Sequence, residues 1–267
     1  MPILHLILVA AIQGITEFLP VSSSGHLVLL PNLTGMEDQG QVIDVAVHVG
    51  TLGAVMLYFW ADVRRVILGL PKVAQRKIDD QNAWLALCLI VATLPVILAG
   101  LVFKLTGLDD ALRSVAVVGW MTLIFGLVLY WADQFSPAEK SAEKWSLKDA
   151  VLMGFAQVLA LIPGTSRSGI TITAARRLGY ARGDAARLAM LMSVPTIAAS
   201  GILLGAEVIV TMDGAAARDA AIAAAFAFIF ALAALALMMR LLRSVSFTPY
   251  VIYRVILGVI LLWIAYA

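Results

Sequence analysis

Fourteen residues, Gln13-Gly-Ile-Thr-Glu17-Phe-Leu-Pro20-Val-Ser22-Ser23-Ser24-Gly25-His26, collect the side chains most able to do chemistry in the first half of the chain. Gln13 and Glu17 are four apart and share one face of a helix. Glu17 lies between Ile15 and Phe18 in an apolar stretch, where a carboxylate is expensive and marks function. It suits a divalent cation or general-base work. Gln13 adds a neutral oxygen ligand or orients Glu17. Pro20 ends the helix. Ser22, Ser23, Ser24 and Gly25 then form a turn of hydroxyls and N–H groups that suits an anion. The same serines suit the N-cap of a helix at 26–33, and a helix N-terminus is itself an anion site. His26 opens that helix as a nucleophile or proton carrier for phosphoryl chemistry.

A second constellation, Pro163-Gly164-Thr165-Ser166-Arg167-Ser168-Gly169, lies far along the chain. The planar fork of Arg167 suits two oxygens of a phosphate, and Thr165, Ser166, Ser168 and Gly169 offer further donors. Together the two constellations fit the binding and cleavage of a phosphate anhydride carried on a membrane lipid. A divalent cation, Mg2+ or Ca2+, held by Glu17, would neutralise the diphosphate. Asp44 and His48, four apart, could face this site; for Asp44 a hydrated helix end is nearly as good an account. Arg176, Arg177, Arg187 and Arg254 read as snorkelling residues, and Pro95 and Pro195 as helix kinks.

The elements that must position these groups belong to a membrane. Of 267 residues 62% are hydrophobic and only 13% charged, about half the charged fraction of a soluble domain. The net charge of +2 gives no ground for a nucleic-acid partner. The single cysteine, Cys88, excludes an internal disulfide. No Lys or Arg precedes Arg64, so the N-terminus lacks the basic region of a cleavable signal peptide. Six stretches, roughly 43–60, 83–103, 115–132, 188–212, 220–239 and 250–267, are long and apolar enough to cross a bilayer. Two more, 2–33 and 150–179, are broken at Pro20 with its serines and at 163–169. Their arms suit re-entrant helix–turn–helix hairpins.

The order hairpin, span, span, span occurs twice, as repeat 1 over about 1–132 and repeat 2 over about 150–267, joined by the polar linker 133–149. Phe18-Leu-Pro20-Val-Ser22-Ser23 aligns with Leu161-Ile-Pro163-Gly-Thr165-Ser166, and after a one-residue slip Ser24-Gly25 aligns with Ser168-Gly169. Four groups of basic residues, in loop 62–80, in loop 133–149, after the second hairpin and at Arg240 and Arg243, all fall on one side if both broken regions are re-entrant, and the opposite loops hold only Lys104, Arg113 and Arg218. Placing that side in the cytoplasm puts both termini outside and inserts the hairpins from opposite faces. The expected architecture is therefore an all-α polytopic membrane protein, one integral domain with an inverted-topology repeat, six transmembrane helices and two re-entrant hairpins whose tips meet near the midplane. The Ala-rich run 215–236 suits close helix packing.

On these residues the chain resembles the undecaprenyl-pyrophosphate phosphatase family, also called the bacitracin-resistance protein family. Its pattern of Glu/Gln-x-x-x-Glu leading into Phe-Leu-Pro-Val-Ser-Ser-Ser/Thr-Gly-His runs here from Gln13 to His26, and its Pro-Gly-Thr-Ser-Arg-Ser-Gly motif is complete at 163–169. The resemblance spans the chain and implies hydrolysis of undecaprenyl pyrophosphate to undecaprenyl phosphate and inorganic phosphate, which recycles the carrier for peptidoglycan and other envelope polymers. It also implies a divalent-cation requirement, a bacterial inner-membrane location and active-site roles for Glu17, Ser23, His26 and Arg167. The reading assigns His26 as nucleophile or base activated by Glu17, Ser23 as a phosphate-positioning group and Arg167 as stabiliser of transition-state charge. The mouth of the site is expected on the outer, periplasmic face. A homodimer is left open.

Two rivals bear on this reading. Acid-phosphatase-like lipid phosphatases also use Ser-Gly-His, but need a second histidine six residues after the arginine of a Ser-Arg pair. Thr173 stands there, and no histidine follows His48. An inverted repeat with midplane hairpins is also a transporter layout, so a flippase of the polyprenyl phosphate lipid is the alternative. Phosphate release in detergent separates the two.

Overall fold

The computed structural model describes residues 1–34, 39–211 and 213–267. Glu37 and the end of the expected 188–212 span lie outside the described residues. The described residues form twelve α-helices: α1 Ile3–Thr16, α2 Ser23–Thr34, α3 Gly40–Tyr58, α4 Trp60–Ala74, α5 Gln81–Thr106, α6 Leu108–Ala111, α7 Val115–Phe135, α8 Leu147–Val158, α9 Arg167–Arg177, α10 Arg182–Thr211, α11 Gly214–Leu241 and α12 Thr248–Tyr266. Six stretches are long and apolar enough to cross a membrane: α3, α5, α7, α10 over Arg182–Gly205, α11 and α12. In hydrocarbon each backbone polar group must be satisfied within the segment, which is why apolar runs of this length become helices. The protein is an all-α polytopic membrane protein.

Loop chemistry sets where the helices begin. The Asp80 carboxylate accepts from the Ala83 N–H at 2.8 Å, Ser146 from Asp149 at 3.1 Å and Asp213 from Ala216 at 2.8 Å, opening α5, α8 and α11. Each is a side-chain N-cap on an otherwise orphaned donor. Region 62–80, expected to be a loop, is largely α4. Its buried side includes Val63 and Gly69, while Ile67, Leu68 and Leu70 are exposed. Period-3.6 alternation over a stretch too polar to span gives a surface helix. Gly69 allows the close approach to α5, since a Cβ there would lie 2.2 Å from the Asn82 carbonyl oxygen.

The helices pair in a crossed pattern. α3 packs on α11 and α10 on α5; α1 packs on α11 and α8 on α5; α2 touches α12 and α9 touches α7; α3 meets α10 and α7 meets α12. Small residues permit the tightest of these contacts. Cβ atoms at Gly14, Gly50 and Gly154 would lie 2.8, 2.2 and 2.6 Å from the carbonyl oxygens of Ala227, Ala224 and Ala92. Without a hydrophobic force between helices in lipid, close van der Waals approach of this kind drives their association. Ala223, Ala227 and Ala231 of α11 are buried at four-residue spacing. Large apolar side chains such as Leu98 and Leu105 of α5 and Ile256 and Trp263 of α12 stay exposed, as a bilayer-facing surface requires.

Ion pairs join the helices at one end of the bundle. Asp133, at the end of α7, accepts from Arg176 Nε at 3.2 Å, from Arg182 Nε at 2.7 Å and from the Phe247 N–H at 3.1 Å. Arg176 also donates to the carbonyls of Pro137, Ser136 and Tyr180. Arg187 grips both Asp62 oxygens at 2.6 and 2.8 Å and reaches Glu143 at 2.6 Å. Snorkelling is therefore the wrong reading for Arg176, which is 2% exposed. It also fails for Arg187, which bridges α10 to α4. Arg177 is exposed, 4.1 Å over the Trp131 ring.

Candidate functional site

The two broken helix pairs, α1–α2 and α8–α9, meet at their tips. α1 ends at Thr16, with Glu17 continuing the helical path as its cap residue, so the break falls a turn before Pro20. Ser22 then adopts φ 74° and α2 begins at Ser23 rather than at His26. In the other tip Ser166 adopts φ 69° immediately before α9. A positive φ in a non-glycine residue is uncommon and costs strain. Here both such serines turn the chain into the second helix of their pair.

This common geometry corrects the register read from sequence. Ser22 corresponds to Ser166, Ser23 to Arg167, Ser24 to Ser168 and Gly25 to Gly169, with the extra residue before the serines rather than after them. The hydroxyls agree, with Ser22 Oγ 3.0 Å from Ser24 Oγ and Ser166 Oγ 3.2 Å from Ser168 Oγ. The tips also bond each other reciprocally. Ser24 Oγ accepts from the Gly164 N–H at 3.2 Å, and Ser168 Oγ donates to the Leu19 carbonyl at 2.9 Å. Gly25 packs beside Thr122 and Val118, and the Gly169 N–H is taken by Ser166 Oγ at 3.1 Å.

Glu17 is the hub. Its Oε1 accepts from Arg167 Nη2 at 2.5 Å, and its Oε2 accepts from Gln13 Nε2 at 2.7 Å and from Ser23 Oγ at 3.1 Å. Arg167 also donates to the Ser193 carbonyl at 3.2 Å. The equivalent residues of the two tips, Ser23 and Arg167, thus converge on one carboxylate. Three hydrogen-bond donors on a mostly buried Glu17 hold its carboxyl in place. His48 of α3 joins them, its Nε2 3.1 Å from Gln13 Nε2 and 3.9 Å from Glu17 Oε2. Of the two expectations for Asp44 and His48, His48 reaches the site. Asp44 instead accepts from Gln39 at 2.8 Å.

Hydrogen bonds select the same tautomer for both histidines. The Nδ1 of His26 faces the Ser22 carbonyl at 2.8 Å, and that of His48 faces the Asp44 carbonyl at 2.7 Å. A carbonyl only accepts, so each ring carries its proton on Nδ1 and presents the Nε2 lone pair. His26 is not paired with Glu17, contrary to the expected activation. Its Nε2 accepts from the Tyr253 hydroxyl at 2.5 Å, and the two rings are nearly parallel.

Arg254, next to Tyr253 on α12, was read as snorkelling and is 0% exposed. Its Nε donates to the Thr122 carbonyl at 3.0 Å and its Nη2 to Gly164 and Thr165 at 3.0 Å each. Weaker contacts reach Pro20 and Met121 at 3.4 Å. It clamps backbone from both tips and from α7. The sequence signal available was an arginine one turn into a span; its partners are main-chain carbonyls, which no side-chain pattern announces.

Thr165 Oγ1 and Gln13 Oε1 are buried without a hydrogen-bond partner. The orphaned Gln13 oxygen sits beside a carboxylate and a histidine lone pair, and the amide's protons point at both. That donor set, two oxygens and one nitrogen, suits a divalent cation in place of those protons. Gln13, Glu17, Ser23, Arg167 and His48 are brought together. Ser22, Ser24, Ser166 and Ser168 shape and join the two turns, and His26 stands beside them at the head of α2.

The family model described as "Bacitracin resistance protein BacA" matches residues 6–260. A protein of Roseobacter denitrificans named undecaprenyl-diphosphatase is 69% identical over all of this chain and all of its own length. One of the same name from Ruegeria pomeroyi is 67% identical, again over the full length of both. One from Maricaulis maris is 44% identical over 98% of each chain. With a family match over nearly the whole sequence and relatives this similar from end to end, the chain belongs to the bacitracin resistance protein BacA family.

Proposed function

We propose that the chain is an integral-membrane phosphatase that hydrolyses undecaprenyl pyrophosphate to undecaprenyl phosphate and inorganic phosphate, recycling the lipid carrier of cell-wall synthesis. The relatives' names state this substrate. The observation that carries the reading is the 2.5 Å contact of Arg167 with Glu17, which joins a cation from one tip to a carboxylate from the other inside an apolar bundle. An ion pair so placed is costly as scaffold and apt as machinery.

Gln13 and Glu17 would hold a divalent cation, Mg2+ or Ca2+, and the cation would neutralise the diphosphate. Arg167, once released from Glu17, binds the non-bridging oxygens. Ser23 positions the terminal phosphate, and the amides and hydroxyls at Thr165, Ser166, Ser168 and Gly169 and at Ser22, Ser24 and Gly25 receive the remaining oxygens. His26 Nε2, its lone pair already aimed, works at the terminal phosphorus once Tyr253 yields it. It acts either as the nucleophile or as the base that takes a proton from attacking water. In either case the P–O bond to the bridging oxygen breaks and the prenyl phosphate leaves. A quench that preserves phosphohistidine distinguishes the two.

The architecture that supports this activity is an inverted repeat of two re-entrant hairpins in the bacterial inner membrane, with the site open to the periplasm. Bonds between residues just before α8 and just after α9 favour it: Lys140 pairs with Gly179 and Ala181, and the Ala142 N–H with Asp184 at 3.0 Å.

The test is phosphate release by purified protein in detergent with undecaprenyl pyrophosphate. Release is expected, and excess chelator should abolish it. Arg167→Ala should lower it by about a hundredfold or more, as loss of a transition-state charge partner does. Full activity in chelator would discard the cation, and near wild-type activity in Arg167→Ala would discard the two-tip site. Absence of release from wild-type protein would leave the flippase reading in possession.

A further inference from the structure

A cleft of about 460 Å3 lies between α3 and α10, lined by His48, Val49, Leu52, Ile197, Gly201 and Ile202 among others. His48 is its one titratable lining residue, and it is the residue whose Nε2 meets Gln13 and Glu17. The cleft therefore shares His48 with the hub and lies between two helices along otherwise apolar side chains. Gly201 gives it depth: a Cβ there would have no heavy atom within 4 Å, and at Gly205 the nearest is Val45 Cγ1 at 3.8 Å. In membrane helices glycines at this four-residue spacing normally seat a neighbouring helix. Here the first of them faces open space.

We propose that this cleft is the subsite for the prenyl chain of the substrate, holding the isoprene units next to the diphosphate while the tips hold the phosphates. The inference rests on the phosphatase reading and adds to it where the lipid tail lies. A molecule with a charged head at Glu17 and an apolar chain must lead the chain out past apolar walls. Of the two cavities described, only this one shares a residue with the hub. The other is polar, bounded by Asp62, Arg65, Gln81, Glu143 and Arg187, and does not suit a hydrocarbon. The head-to-tail order is set by His48, with the phosphates on its Nε2 side and the chain along Val49, Leu52 and Ile197.

The experiment fills the cleft without touching the tips. Gly201→Trp places an indole where the structure has no atoms, so the fold should tolerate it. Ile256→Trp, on the exposed face of α12, is the control. Phosphate release from undecaprenyl pyrophosphate is measured in detergent, first for wild type. In Gly201→Trp the KM should rise about tenfold with kcat within about twofold, the signature of lost binding common to ground and transition states. Ile256→Trp should match wild type. In parallel, a prenyl diphosphate with a diazirine on its second isoprene unit should label peptides covering 45–52 and 197–205 in wild type and lose that labelling in Gly201→Trp.

An unchanged KM in Gly201→Trp, or labelling confined to α2 or α12, overturns the proposal while wild-type release keeps the phosphatase reading. A change of oligomeric state with unchanged KM overturns it in favour of a second copy of the chain. If wild type releases no phosphate, the phosphatase reading fails first and the subsite with it.

Discussion

Arg254 is the residue whose burial is hardest to account for without the site. An unpaired charge in an apolar interior costs several kcal/mol even after relaxation. Its partners in the described structure are five main-chain carbonyls, three of them from the tips. Those peptides are broken out of helices, and their oxygens have no water to turn to. The guanidinium fork satisfies several at once, which an ammonium cannot. Arg254→Met should therefore lower stability by about 1–3 kcal/mol, the cost of leaving buried acceptors unsatisfied. Arg254→Lys should recover only part of it, and thermal unfolding in detergent checks both. If Arg254→Met unfolds like wild type, the clamp is not needed to hold the tips. Legibility at this scale followed chemistry. Gln13, Glu17, Ser23 and His26 stood out because they are expensive in lipid and lie close together in sequence, and Arg167 because an arginine at the break of an apolar stretch is costly. Tyr253 and Arg254 did not, because a tyrosine and an arginine near a span end read as interface anchors. Asp44 was a near-even choice between the site and a hydrated helix end, and only the placement of α3 against α1 separated it from His48.

At the scale of elements, a broken helix pair must reverse within a few residues and still let its backbone pass close to a neighbour. Ser22 and Ser166 supply the reversal through positive φ, and Gly164 supplies the approach. Gly164 has φ 93°, and a Cβ on it would lie 2.3 Å from the Val118 carbonyl oxygen of α7. Gly164→Ala would thus combine left-handed strain of about 1–2 kcal/mol with overpacking of about 1–3 kcal/mol. Because the tip carries Thr165 to Arg167, the loss should fall on activity as well as on melting temperature. Phosphate release per folded molecule should drop at least about tenfold, consistent with the sensitivity of bound geometry to shifts of about 1 Å. Unaltered specific activity in Gly164→Ala would mean that the tip does not depend on this seat. The six spans were readable in sequence to within a few residues, since length and apolarity alone decide them. α4 was not, because basic residues at 64, 65 and 72 drew attention to charge rather than to the apolar period they interrupt. The slip between the tips was misplaced for a similar reason: side-chain identity aligned Ser23 with Ser166, whereas backbone conformation pairs Ser22 with it.

For the whole molecule, the crossed pairing of helices is what a duplication related by a two-fold axis would produce. Each contact of a helix in the first half with one in the second recurs with the halves exchanged, as in α1 on α11 and α8 on α5. Gly14 and Gly154 occupy matching seats in those two contacts. Three residues beyond each stands Glu17 in one half and Gln157 in the other. Glu17 lies 3.9 Å from His48 of α3, whereas the Gln157 oxygen accepts from Thr196 of α10 at 3.4 Å. The acid and imidazole of one half are an amide and a hydroxyl in the other, so such a two-fold would hold only one charged hub. The topology behind this reading is open to direct measurement. With Cys88→Ala removing the native thiol, single cysteines replace Arg113, Lys144 and Gly183, which flank α7 and the α8–α9 pair. A re-entrant second hairpin returns the chain to the side it left, so Lys144→Cys and Gly183→Cys should react with an impermeant maleimide from the same side and Arg113→Cys from the opposite one. In intact cells Arg113→Cys should react at once and the other two only after permeabilisation, because the loops richest in Lys and Arg stay in the cytoplasm. Reaction of Gly183→Cys together with Arg113→Cys would mean that α8–α9 crosses the membrane. The second half would then run parallel to the first, and the two tips would not be inserted from opposite faces.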